Sequence, residues 1–281
     1  MNDVSADAAN NGQVLETSDY SGEERRRSGE DRRTPPAPPV GIGILTKGKP
    51  TLSMVLVSLL MQEHCQIRVH IVDTSPSPVV RRDDVVFALR LAFDRQIVCE
   101  YEYSREKERA FSAGRQRLVE ALPGPFLVFM DDDVVLPAGT LARLCERSRA
   151  LENWGYVAPV CKNYGVAGIP FGERAHYTPG GLIYQDDAVR RILLQYYGTT
   201  VDVLDAKRTR GKVWESVFLS ELFGKLGRSC AVLDDVVTYH LDYHQRAEWH
   251  PNENELIANT RARLRELIER SGAAPAPAPQ T

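Results

Sequence analysis

Three adjacent aspartates, Asp131, Asp132 and Asp133, follow five apolar residues in the stretch FLVFMDDDVVLP (126–137). Neighbouring carboxylates repel one another and resist desolvation, so at the end of a buried strand they need compensating donors or a cation. Alternate side chains of a strand point the same way, which puts Asp131 and Asp133 on one side. Two hard oxygen ligands in that geometry suit Mg²⁺ or Mn²⁺, ions that keep some of their water and bridge to a substrate phosphate. The plain alternative is an acidic turn that starts the next helix. A second apolar stretch, IRVHIVD (67–73), also ends in an aspartate, Asp73.

The elements that must position these carboxylates alternate in period. VGIGIL (40–45) reads as a buried strand, followed by Pro50 and a helical stripe of Leu52, Leu56, Leu59 and Leu60. After the strand at 67–73, AFSAGRQRLVEAL (110–122) carries Phe111, Gly114, Leu118, Ala121 and Leu122 on one helical face. FLVFM (126–130) is the third strand, and 138–151 returns to helical spacing. Alternating strands and helices predict an α/β fold, a Rossmann-like, mostly parallel sheet flanked by helices, in a single domain. In such sheets ligands bind outside the carboxyl ends of the strands, where Asp73 and Asp131–Asp133 then share an edge. Further on, YVAPV (156–160) and CAVLDDVVTYHL (230–241) read as strands and YTPGGLIY (177–184) as a loop into a strand. WESVFLSELFGKLG (214–227) and NENELIANTRARLRELIER (252–270) read as helices, the latter with Asn252 as N-cap.

The 281 residues are 43% apolar, enough for a sizeable core, and the formal charge of -3 gives no global electrostatic case for nucleic acid. No stretch approaches the roughly 18 apolar residues of a transmembrane segment, and the polar N-terminus lacks a signal-peptide core. The five cysteines are scattered without a CxxC pair, which favours a reduced, cytoplasmic setting over a disulfide framework or structural zinc. Residues 1–39 hold the charged, proline-closed run GEERRRSGEDRRTPPAPP and read as a disordered tail, 40–271 as the catalytic domain, and 272–281 as a second, Pro/Ala-rich disordered tail. His240, Asp242 and His244 have the spacing of a zinc motif, but Leu241 stands where its glutamate belongs and the segment alternates as a strand.

Six segments in order, GILTKGKPTLSMVLVSLLMQ, VHIVDTSPSP, FSAGRQRLVEAL, FLVFMDDDVVLP, GGLIYQDDAV and WESVFLSELFGKLGRSCAVLDDVVTYHL, resemble the motifs of family 2 glycosyltransferases with the glycosyltransferase-A fold. The resemblance covers about residues 40–245. It implies an inverting, hexosyltransferase-type enzyme that is dependent on Mn²⁺ or Mg²⁺. The donor would be a nucleotide-diphosphate sugar, a UDP-sugar by preference, and the acceptor a hydroxyl on a saccharide, lipid, protein or nucleic-acid base.

On the same resemblance Thr46 touches the nucleotide, Asp73 the base, and Arg115 lies beside the donor. Asp131 faces the donor's ribose and sugar with Asp132 next to it, Asp133 is a metal ligand, and His240 closes the diphosphate site. The family takes its general base from a Glu-Asp pair at a helix start, where this chain has Glu215 and Ser216, and Leu222 replaces the arginine usual later in that helix. Glu215 is then the expected base, with Asp205 and Asp187 as substitutes and a helix-start carboxylate as the plain alternative. A nucleotide-sugar-binding protein without transfer, or a nucleotidyltransferase, are the competing functions.

Overall fold

The computed structural model describes residues 39–62, 66–163, 180–205, 212–241 and 253–272. The expected tails at 1–39 and 272–281, the Asn252 cap, and Asp242 and His244 lie wholly or almost wholly outside the described residues. Strands β1 (Val40–Thr46), β2 (Ile67–Asp73), β3 (Val98–Tyr103) and β4 (Phe126–Asp131) run parallel in the order β3-β2-β1-β4. Helices α1 (Leu52–Leu60), α2 (Asp83–Asp94) and α3 (Ala110–Ala121) connect them.

The sheet then continues through shorter, mixed pairings. β5 (Val134–Val135) is followed by α4 (Thr140–Arg149), β6 (Trp154–Asn163) and β7 (Leu182–Tyr184). After them come α5 (Asp187–Thr199), α6 (Glu215–Lys225), β8 (Ser229–His240) and α7 (Glu253–Ser271). β7 inserts antiparallel between β4 and β6, β6 pairs parallel with β8, and β8 pairs antiparallel with β5. The single α/β domain with its mostly parallel sheet is the fold that the alternating periods predict.

The central strands β1 and β4 bury both faces. On β4, Val128 and Met130 join a core with α1, α2 and α4, while Leu127 and Phe129 join a second core with α3, α5, α6 and α7. This two-sided burial explains why β1 and β4 read as unbroken apolar runs. It also puts Asp131 on the α3 face, because it continues the alternation of Leu127 and Phe129.

How closely α3 approaches β1 is set by glycines. A Cβ on Gly114 would lie 2.4 Å from Leu45 Cδ1, and Cβ atoms on Gly43 and Gly41 would each lie 3.1 Å from Leu118 and Leu122 atoms. Their absence lets α3 lie directly on β1 and seats Arg115 beside the end of β4. Gly114→Ala is therefore expected to cost about 1–3 kcal/mol in urea unfolding, by overpacking. Gly224→Ala, on α6 with open space around it, should be neutral or stabilise by up to about 1 kcal/mol. Equal stability of Gly114→Ala and wild type would refute the close-approach account.

Candidate functional site

The three aspartates diverge at the end of β4, and each meets different donors. Asp132 turns inward. Its Oδ2 accepts from Thr46 Oγ1 at 2.7 Å, Lys47 N at 3.1 Å and Lys49 N at 3.3 Å, and its backbone oxygen accepts from Thr51 Oγ1 at 2.7 Å. The loop 46–51 is thereby fastened to the end of β4. Gly48 holds a left-handed backbone, φ +87°, as that tight loop requires. From the other side, the Arg82 guanidinium donates to the carbonyls of Gly48, Lys49 and Pro50 at 3.2, 2.8 and 3.1 Å.

Asp131 and Asp133 share a side with His240. One ligand atom from each of the three lies within 4.8 Å of the others. The two-residue strand β5 makes this possible: Val134 pairs with His240 on β8, and Leu241 N donates to the Asp133 carbonyl at 2.8 Å. His240 Nε2 stands 3.5 Å from Asp133 Oδ1. Burial raises the Asp133 carboxyl above its ordinary range, against the opposing pull of Lys49 and His240. Two carboxylates and an imidazole suit Mn²⁺ or a similar hard-to-borderline divalent ion, so the residues fit a metal.

Arg115 links this edge to the second core. Its NH2 donates to Asp131 Oδ1 at 3.0 Å and its Nε lies 3.2 Å from Glu215 Oε1. The guanidinium carbon sits 5.2 Å from the Phe111 ring centre and 4.7 Å from that of Phe129, a cation–π sandwich in a dry setting. Tyr197 Oη donates to Glu215 Oε1 at 2.5 Å. Burial raises the Glu215 carboxyl, and Arg115 and Tyr197 pull it back. Below it Asp202 accepts from Glu215 N at 2.8 Å and Leu204 N at 3.0 Å, and burial beside Glu215 pushes it up to about 8.

The eight expected site residues therefore separate into two groups. Asp131, with 37% of its side chain exposed, lies close to His240 and to Asp133, which is itself buried. Thr46, Asp73, Arg115, Asp132 and Glu215 are buried and engaged within the protein. Asp73, expected at the nucleobase, has a carboxylate that accepts from Ser75 N at 2.8 Å, Val79 N at 2.7 Å and Tyr101 Oη at 2.7 Å, and it is fully buried. It anchors the turn after β2. Thr46 and Asp132 likewise satisfy one another, Thr46 Oγ1 donating to Asp132 Oδ2.

Glu215, expected to face an acceptor, is held by Arg115 and Tyr197 with 8% of its side chain exposed. Of the substitutes, Asp205 caps α3 by accepting from Phe111 N at 2.7 Å. Asp187 follows Tyr184, which pairs with Phe126, and so lies at the opposite edge of the sheet from Asp131. Two residues at the site escaped the sequence reading. Lys49, whose ammonium contacts Asp133 Oδ2, was visible only as part of TKGKP. Tyr197 lies in α5, whose signal, Asp186 capping Val189 N at 2.9 Å, is an ordinary N-cap before an apolar period.

No protein-family model and no curated protein sequence matches the chain. Among solved structures it is similar to S. aureus TarS 1-349 in complex with UDP-GlcNAc, with a TM-score of 0.57 and 12% identity over 82% of this chain and 66% of that one. It is also similar to the mannosyltransferase PcManGT from Pyrobaculum calidifontis in complex with GDP-Man and Mn²⁺, with a TM-score of 0.53 and 15% identity over 84% and 69%. S. aureus TarS 1-349 without a named ligand matches at a TM-score of 0.53 and 15% identity over 72% of this chain and 60% of that one. The chain thus spans 60% and 66% of the length of these two TarS 1-349 structures. The likeness shows that it has the fold of these sugar transferases.

Two predictions follow from the buried charges. Arg115→Met removes the cation facing Glu215 and should cost about 3–5 kcal/mol in urea unfolding. Adding Glu215→Gln to it should restore at least about 1 kcal/mol, by removing the stranded charge. A double variant no more stable than the single one would mean that Glu215 is not a buried charge paired with Arg115.

The second concerns pH. Asp202 keeps its proton in the folded protein up to about pH 8, whereas its ordinary value is 3.8. His70 is also raised, because Glu102 and Glu100 more than offset the burial that alone would lower it. Both groups bind protons in the folded state that the unfolded chain has released, so stability falls as pH rises from about 5 to about 8. Urea unfolding should show a loss of about 1–3 kcal/mol over that interval. A constant or rising stability would contradict it.

Proposed function

We propose that the chain is a metal-dependent, inverting glycosyltransferase that moves a sugar from a nucleotide-diphosphate donor, UDP-linked by preference, to an acceptor hydroxyl. Residues 40–271 form its catalytic domain in this reading. The observation that carries it is the convergence of Asp131, Asp133 and His240 at the carboxyl edge of the parallel strands, where such sheets bind ligands. The similar structures were obtained with UDP-GlcNAc, UDP, and GDP-Man with Mn²⁺, which supports a nucleotide-sugar donor and a divalent ion here. Among the described residues no helix is long and apolar enough to cross a membrane.

Asp131, Asp133 and His240 would hold the ion, which supplies Lewis-acid stabilisation to a leaving nucleoside diphosphate. Arg115 holds Asp131 in orientation from behind, and Glu215 with Tyr197 holds Arg115 in turn. In this account Glu215 is a positioning residue, since its carboxylate is already taken up by two internal donors. The base role expected of it from the sequence is separated by Glu215→Gln. A positioning role predicts weaker donor binding and a loss in turnover below about 10²-fold. A base leaves donor affinity intact and costs roughly 10²- to 10⁴-fold.

Ser216, where a carboxylate is expected, favours a second reading, a sugar-nucleotide-binding protein without transfer. Incubation with a panel of nucleotide sugars and Mn²⁺ distinguishes them. Release of nucleoside diphosphate supports the transferase, binding without release the second reading, and release of pyrophosphate a nucleotidyltransferase. Asp133→Ala should abolish Mn²⁺-dependent donor binding in calorimetry while the protein stays folded. Unchanged donor affinity with and without Mn²⁺ would remove the metal assignment.

A further inference from the structure

Lys49 occupies a place in the site that neither the motif reading nor the proposed reaction assigns. Its ammonium contacts Asp133 Oδ2, the oxygen opposite the one facing His240. Asp133 is 2% exposed, whereas 31% of the Lys49 side chain is open to solvent. The backbone that carries it is held on both sides, by Asp132 at Lys49 N and by Arg82 at the carbonyls of residues 48–50. The loop is therefore fixed, and only the flexible stem of Lys49 can move without breaking those bonds.

We propose that Lys49 is a resident counter-cation that holds the metal position on Asp133 and yields it when a diphosphate arrives to receive its ammonium. The proposal rests on the metal-dependent reading above. With Lys49 in place, Asp133 is paired with an ammonium as Asp131 is with the Arg115 guanidinium. A divalent ion entering alone must share Asp133 with an ammonium that repels it. A diphosphate entering with the ion supplies both ligands for the metal and a new partner for Lys49, so the two bind together. Lys49 thereby couples the filling of the metal site to the presence of donor. Lys49 and Asp131 are both partly open to solvent, at 31% and 37% of their side chains.

The test is calorimetric titration of Mn²⁺ into wild type, Lys49→Met, Lys49→Arg and Asp133→Ala, each with and without UDP. Lys49→Met keeps the stem and removes the charge. Without UDP it should bind Mn²⁺ about ten-fold or more tightly than wild type, a factor worth about 1.4 kcal/mol. Lys49→Arg should stay near wild type, since it keeps a cation on Asp133. With Mn²⁺ present, Lys49→Met should bind UDP more weakly than wild type, because the ammonium's second partner is lost. Mn²⁺ affinity in Lys49→Met equal to or weaker than wild type, with Asp133→Ala still abolishing binding, overturns the counter-cation role alone. Absence of Mn²⁺ binding in every protein, with UDP as well as without, overturns the metal-dependent reading and this proposal with it.

Discussion

Three successive carboxylates can stand at the end of a buried strand only if each finds a separate source of positive potential. Here Asp132 takes a hydroxyl and two backbone amides from the loop after β1, Asp131 takes Arg115 from α3, and Asp133 takes Lys49. Left uncompensated, any one of them would carry the desolvation cost of a buried charge. The arrangement of β1, α3 and the loop 46–51 around β4 follows from that requirement. So does the result that Asp131 and Asp133 share a side with His240 while the middle one locks the scaffold.

The compensation is organised in layers. Glycines at 41, 43 and 114 bring α3 onto β1, which carries Arg115 to the end of β4. Phe111 and Phe129 enclose its guanidinium, and Glu215 and Tyr197 hold it from the interior. Side chains whose rotamers are locked in this way present Asp131 in one orientation, the condition for a preorganised ligand. His240 comes from a strand more than a hundred residues away, and β5 delivers it by pairing with β8. A largely buried frame thus supports a cluster of two carboxylates and an imidazole.

The parts that were legible in the sequence are those governed by local periodicity. β1, β2 and β4 stand where continuous apolar runs place them, and α3, α4, α6 and α7 follow their helical stripes to within a few residues. The alternation that put Asp131 and Asp133 on one side also holds. β3 escaped because VCEYEY is a half-buried edge strand whose glutamates face His70 and the arginines Arg68 and Arg117. β5 has no local signature, since its two residues are a strand only through a distant partner. The internal hydrogen bonds of Thr46, Asp73 and Asp132 have one shared cause. Strand-end turns create backbone donors that must be satisfied, and these polar side chains satisfy them. Motif position cannot tell a carboxylate that faces a ligand from one that closes a turn.

The central claim is that Asp131, Asp133 and His240 form a cation site. Crystals grown with Mn²⁺ and UDP, measured at a wavelength where manganese scatters anomalously, locate the ion directly. The account predicts a single strong peak bounded by Asp131, Asp133 and His240, with the Lys49 ammonium moved from Asp133 to the diphosphate. No peak there while UDP is bound at the strand ends, with Lys49 still on Asp133, would contradict it.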